Sequence, residues 1–288
     1  MKDLNHQLKA LCRRNRDGSF GTQDGRWHML DLMATQLDEL GFRRMQATSL
    51  KPKHVDALIG RWREQGISIG TLKNRLSVLR WWAGKVNKSS VVARDNGAYG
   101  IGTRTLVSNE SKAQTLDEAR LAKIEDEYVR MSVRLQAAFG LRREEAIKFS
   151  PSYAFRGDHI ALKASWTKGG RPRTIPITNR YQHVLLREVT ELVKGDSLIP
   201  AHLNYVQQQH RYDRQIRKAG MRKLHGLRHA YAQRRYWQLT GWNCSAREGP
   251  ASQDLSPEQR AIDEEARLTI SHELGHSRAA ITAVYIGK

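Results

Sequence analysis

At 288 residues, 39% of them hydrophobic, the chain can form two ordinary domains with buried cores, and no apolar run approaches the ~20 residues that cross a bilayer. Its start, MKDLNHQLKALCRRN, lacks a secretory apolar stretch, and two distant cysteines, Cys12 and Cys244, form neither a disulfide framework nor a metal-ligand spacing, so a cytoplasmic protein with free thiols is expected. Lys and Arg number 49 against 29 acids, a net charge of +20 spread as 19 against 10 over residues 1–110 and 30 against 19 over the rest, which points to a polyanion such as DNA or RNA, a merely basic or ribosome-associated protein being the alternative.

The first part of the chain reads as helices. Residues 23–40 place Trp27, Leu30, Met33, Leu37 and Leu40 at three- and four-residue steps. Residues 52–65 do the same with Val55, Leu58, Ile59 and Trp62, and residues 71–86 with Leu72, Leu76, Leu79 and Val86. The opposite face of this last helix carries Lys73, Ser77 and Arg80, a pattern that suits DNA phosphates as well as plain solvent. Residues 87–111 are rich in Gly, Ser and Asn and read as a linker extending to about residue 114. A boundary near residues 105–113 is expected, with one domain over 1–105 and a second over 115–288.

A capping box of Thr115 with Glu118 is expected to open the second domain, with helices over residues 115–148. Residues 153–156 and 159–166 read as strands, TKGGRP as a Gly-rich turn, and RTIPI as a further strand. Helices return after Asn179. The fold class expected is therefore mostly α with a small antiparallel β-sheet, an α+β layout.

Four separated segments bear chemistry. GLRREEA puts Arg142 and Glu145 three residues apart near a helix start, on one face. TKGGRPRTIPI puts Lys168 at a hairpin tip. HGLRH puts His225 and Arg228 on one helical face, and LGHSRAAITAVY puts His276 nine residues before Tyr285. Singly, each has an ordinary reading: a surface ion pair, a solvated lysine, a solvated helix face, a half-buried tyrosine.

In this order, the four segments resemble the boxes of the tyrosine recombinase, or phage integrase, family over roughly residues 115–288. The resemblance implies catalytic roles for Arg142, Lys168, His225, Arg228, His276 and Tyr285, with Arg142 rather than Arg143 in register. It implies supporting roles for Glu145, which would orient Arg142, and for His229. Tyr231 and Tyr236 have no preceding histidine box. The implied reaction is transesterification: Tyr285 attacks a backbone phosphate, forms a 3′-phosphotyrosyl link and releases a 5′ hydroxyl, which a partner strand's hydroxyl later reverses. Two guanidiniums can grip the phosphate oxygens, His276 adds a donor, His225 accepts or positions the tyrosine proton, and Lys168 protonates the leaving oxygen. No metal and no cofactor is expected.

The helical N-terminal part loosely resembles the family's core-binding domain, implying a two-domain clamp on double-stranded DNA. Self-association on DNA as a dimer to tetramer, accessory DNA-bending or directionality proteins, and a role in mobile-element integration or excision are also implied. A type IB topoisomerase and a non-catalytic DNA-binding accessory protein are the competing readings. Two departures stand out. Arg228 and His276 lie 48 residues apart, so residues 238–270 look like an insertion that begins as a loop and ends in an acidic helix start, Ser256 with Glu258. Three residues follow Tyr285, fewer than the tail with which many relatives link subunits, and an extra N-terminal domain, with a second, arm-type class of DNA site, is not expected. The insertion is expected either to take over that regulatory contact or to be a passive loop.

Overall fold

The computed structural model describes residues 3–103, 107, 110–276 and 278–288. The chain divides into two compact units, Met1–Thr105 and Leu106–Lys288. The first contains α1 (Asp3–Arg14), α2 (Phe20–Glu39), α3 (Pro52–Glu64) and α4 (Ile69–Lys85). Ser19 and Ser68 cap α2 and α4 by accepting backbone N–H bonds, and Pro52 opens α3 where its missing N–H costs nothing. Leu30, Met33 and Leu37 meet Val55, Leu58, Trp62, Leu72, Leu76 and Leu79 in one buried core. The two indoles at its centre keep their polar edges satisfied: Trp62 Nε1 donates to Gln36 Oε1 at 2.8 Å and Trp82 Nε1 to the Ala47 carbonyl at 2.8 Å.

Much of the stretch that reads as a linker is packed. Residues 89–91 and 97–99 form 3₁₀ turns, Val92 and Ile101 enter the core of the first unit, and Tyr99 Oη accepts from the Ala93 N–H at 2.8 Å. Arg80 braces this segment, donating to Ala93 O at 2.9 Å and Asn96 Oδ1 at 2.8 Å.

The second unit holds α5 (Glu118–Ala122), α6 (Glu127–Phe139), α7 (Arg143–Ile147), α8 (Pro151–Ala154), β1 (His159–Leu162), β2 (Arg173–Pro176), α9 (Arg180–Val193), α10 (Tyr205–Lys218), α11 (His225–Thr240), α12 (Pro257–Glu273) and α13 (Ala283–Ile286). β1 and β2 pair antiparallel, with Ile160 opposite Ile175 and both side chains buried. The layout is mostly helical with one small antiparallel sheet.

Three local expectations need correction. Asp117, not Thr115, caps α5, its carboxylate accepting from Arg120 N at 3.0 Å, and the helical stretch to residue 148 is broken into three pieces. Residues 151–154 form a helical turn instead of a strand, because Pro151 occupies a first-turn position; only Phe155 bridges to Ile160. The strand expected over 159–166 ends at Leu162, and residues 164–166 form a 3₁₀ turn. Within 238–270, α11 continues to Thr240, turns occupy 245–247 and 252–254, and α12 fills the remainder. Ser256 caps α12 in a box with Gln259, while Glu258 bonds the Ser256 hydroxyl at 2.7 Å.

Gly140 positions the next layer of structure. It ends α6 at φ 62°, and a Cβ there would lie 2.6 Å from Tyr231 Cδ1. Gly140→Ala should therefore lower stability by more than the ~1–2 kcal/mol of a left-handed alanine alone. Urea unfolding followed by Trp fluorescence checks this; an unshifted midpoint would mean that α6 and α11 can part without cost.

Candidate active site

Arg142 precedes α7, and its backbone N–H donates to Glu145 Oε2 at 2.7 Å while its Nη1 donates to Glu145 Oε1 at 2.9 Å. The i, i+3 spacing thus closes the first turn of the helix and aims the guanidinium. Arg143 points elsewhere and pairs with Asp213 at the surface, 2.8 Å away.

Glu145 is fully buried and serves a second arginine as well. Arg173, on β2, donates Nη1 to Oε1 at 2.9 Å and Nη2 to Oε2 at 2.7 Å, and its Nε donates to the Glu273 carbonyl at 2.7 Å. Burial pushes the Glu145 carboxyl up, but the forked bonds from Arg173 and the charges of Arg173, Arg228 and Arg142 overrule it and hold the group at about 2. Arg173 is the functional residue that sequence reading missed. It stands in the quoted TKGGRPRTIPI segment, and no spacing in the sequence links it to Glu145.

Arg228 lies on α11 and is 1% exposed. Its Nη1 donates to Gly140 O at 2.5 Å, its Nη2 to Leu274 O, and its Nε to Tyr285 Oη at 3.4 Å. Burial, aided by the nearby Arg142 charge, lowers its pKa to about 10, which leaves it a cation at neutral pH. Tyr285, on α13, is 6% exposed. His276 Nε2 lies 3.3 Å from the same hydroxyl. The His229 ring sits 4.7 Å from the Tyr285 ring centroid and the His225 ring 6.0 Å.

The histidines are held neutral. Burial first, then the charges of Arg228 and Arg142, pushes His276 down to about 4. Burial and His225 bring His229 to about 4, and His225 is lowered by partial burial and by Arg228. Tyr231 and Tyr236 point away from nucleophilic use: each is buried and bonds a carboxylate, Glu273 at 2.7 Å and Asp263 at 2.6 Å, and burial raises both phenols.

The fold therefore brings Arg142, Glu145, His225, Arg228, His229, His276 and Tyr285 together. Lys168 is exposed on the β1–β2 connection, and no hydrogen bond or ion pair joins it to the cluster among the described residues. In the other unit, Ser77 is exposed, Lys73 half-buried, and Arg80 committed to the 93–96 segment. No group of His, Cys, Asp and Glu among the described residues is arranged to hold a metal, and no described helix is long and apolar enough to cross a membrane.

The Glu145 cluster has a pH signature. Its folded pKa of about 2 lies below the ordinary 4.5, so the carboxylate's stabilisation is complete above pH 4.5 and is lost as pH falls toward 2. Glu145→Gln should cost about 3–5 kcal/mol at neutral pH, as breaking a buried ion pair does. That difference from the parent should narrow between pH 4.5 and 2. Urea midpoints measured at stepped pH check it; a constant gap would show that the carboxylate is not held low.

The family described as phage integrase, N-terminal matches residues 1–89, and the integrase family matches residues 96–234. No curated protein matches in sequence. Among solved structures, the Tn1549 transposon integrase in complex with circular intermediate DNA is 15% identical, with 100% of this chain and 96% of that one covered and a TM-score of 0.55. The XerH site-specific recombinase bound to difH, in a post-cleavage complex, is 18% identical over 98% and 80% of the two chains, with a TM-score of 0.58. A lambda integrase dimer bound to a COC′ core site is 14% identical over 98% and 94%, with a TM-score of 0.62. With both family matches in chain order and the same fold in these structures, the chain belongs to the phage integrase, or tyrosine recombinase, family of DNA breaking–rejoining enzymes.

Proposed function

We propose that the chain is a site-specific recombinase that cuts and rejoins duplex DNA through a 3′-phosphotyrosyl link at Tyr285, in the integration or excision of a mobile element. The observation that carries this reading is the Tyr285 hydroxyl, 3.4 Å from Arg228 Nε and 3.3 Å from His276 Nε2. A phenol is a poor nucleophile until it loses its proton, and adjacent cations favour the phenolate. The neutral His276 imidazole is the base within hydrogen-bond reach, which moves the proton-accepting role from His225 to His276. An arriving phosphate adds negative charge and raises the affinity of these histidines for a proton.

The chemistry then balances. Tyr285 Oη bonds to phosphorus, the bond to the 5′ oxygen breaks, and that oxygen leaves as a hydroxyl. Arg142 and the two N–H groups of Arg228 not bound to protein are the donors for the non-bridging oxygens, whose charge grows in the transition state. Lys168, on its exposed connection, is the proton source for the leaving oxygen. The ester stores the bond energy, so no nucleotide is consumed. Basic charge on both units supports duplex binding along the whole chain, with Lys73 and Ser77 as contacts in the first. The dimeric state of the lambda integrase on its core site supports self-association on DNA.

The test is covalent capture on nicked duplexes from a random-sequence pool. The parent should form a protease-sensitive adduct, and Tyr285→Phe should bind the selected DNA without forming one; an adduct that survives the substitution removes Tyr285 from the role. Arg142→Ala and Arg228→Ala should each slow adduct formation by about 100-fold or more, as loss of an oxyanion donor does. Arg143→Ala should be near the parent, because its guanidinium faces Asp213; equal losses at Arg142 and Arg143 would reverse the register. Adduct formation should also persist in excess EDTA, and its abolition would point to metal chemistry.

A further inference from the structure

A helix of one turn leaves its last carbonyls without intrahelical donors. At the end of α13 and the residue after it, three consecutive carbonyls are taken up by side chains from three different elements. Gln233 Nε2 of α11 donates to Tyr285 O at 3.0 Å, Ser245 Oγ to Ile286 O at 3.2 Å, and Arg267 Nη1 of α12 to Gly287 O at 2.9 Å. Arg267 also reaches the other end of the same helix, since Thr282 Oγ1, at its N-cap, donates to Arg267 O at 3.2 Å. One residue therefore brackets the tyrosine helix, with its side chain at one end and its backbone at the other.

Arg267 is itself held from three sides. Its Nε lies 2.8 Å from both oxygens of Asp263, and its Nη2 donates to Ser252 Oγ at 3.1 Å. Ser252 Oγ donates to Asp263 Oδ2 at 3.2 Å, and Tyr236 Oη donates to Oδ1 at 2.6 Å. Asp263 is 3% exposed. A buried carboxylate with this many donors fixes the guanidinium fork in one direction, toward Gly287. Ser245, Ser252, Asp263 and Arg267 all belong to the 238–270 span that separates the second arginine box from His276.

We propose that this span is a clasp for the nucleophile, and that Arg267 is a positioning residue that sets the Tyr285 hydroxyl against Arg228 and His276. The inference rests on Tyr285 as the attacking group. A shift of about 1 Å in a reacting atom costs on the order of 100-fold in rate, and α13 has too little helix of its own to hold that tolerance.

The experiment uses the full chain and the captured nicked duplex, with Arg267→Lys and Ser245→Ala as variants. Lysine keeps a cation beside Asp263 but loses the fork that spans Asp263, Ser252 and Gly287. The expected result is a fall of about 100-fold in the rate of adduct formation at saturating DNA for Arg267→Lys. A smaller fall is expected for Ser245→Ala, with duplex affinity and final adduct yield kept in both. Amide exchange over residues 282–287 should quicken while that of α6 stays as in the parent. A merely structural role would instead lower the yield at unchanged rate, and that outcome, or parental rates in both variants, overturns the proposal. An adduct that persists in Tyr285→Phe fails differently: it removes the nucleophile assignment and the clasp's purpose with it, whatever Arg267 does.

Discussion

The cluster around Tyr285 holds three guanidiniums, Arg142, Arg173 and Arg228, close together. Each buried cation costs several kcal/mol if left uncompensated, and Arg228 and the Arg173 side chain are both almost wholly removed from solvent. The carboxylate of Glu145 makes this arrangement possible. It takes two bonds from Arg173 and bonds from the side chain and backbone of Arg142, and its charge reaches Arg228. Backbone carbonyls of Gly140 and Leu274 do the rest for Arg228. One acid among three arginines leaves a net positive pocket; burial first, and then the Arg228 and Arg142 charges, holds the His276 pKa down.

The same carboxylate also joins separate parts of the second unit. Through Arg142 it closes the first turn of α7; through Arg173 it ties β2 to α7, and the Arg173 Nε carries the connection on to the end of α12, three residues before His276. Electrostatic compensation and placement of the Tyr285 cluster are thus one construction. The proposed clasp repeats the principle on a smaller scale, with Asp263 in the place of Glu145 and Arg267 in the place of Arg173.

What could be read from the sequence was local or tied to a fixed order. Arg142 with Glu145 and His225 with Arg228 are helical neighbours at i, i+3, so their shared faces follow from spacing, and Arg143 turns outward to Asp213 while Arg142 bonds Glu145. His276 and Tyr285 meet across nine residues, a separation that spacing alone does not bring together. Arg173 escaped because its partners lie 28 residues before it and 100 after it, and no periodicity encodes such a pair. Residues 87–101 misled for a related reason: their short apolar residues, Val92 and Ile101, pack against distant helices and carry no period of their own. At 153–156 the four-residue window suits strand and helix alike, and Pro151 decides it.

The glycine of the LGHS box gains meaning from this geometry. Gly275 sits at φ 67°, and a methyl on it would fall 3.0 Å from Arg173 Cδ and 3.1 Å from its Nη1. The aliphatic stem and fork of Arg173 thus lie flat against a bare backbone, one residue before His276. Any side chain at 275 would stand in a left-handed backbone conformation and press on the stem and fork of Arg173, the arginine that grips both oxygens of Glu145. A single methyl group beside the backbone of His276 would in this way be felt at the acid on which the arginine cluster is balanced.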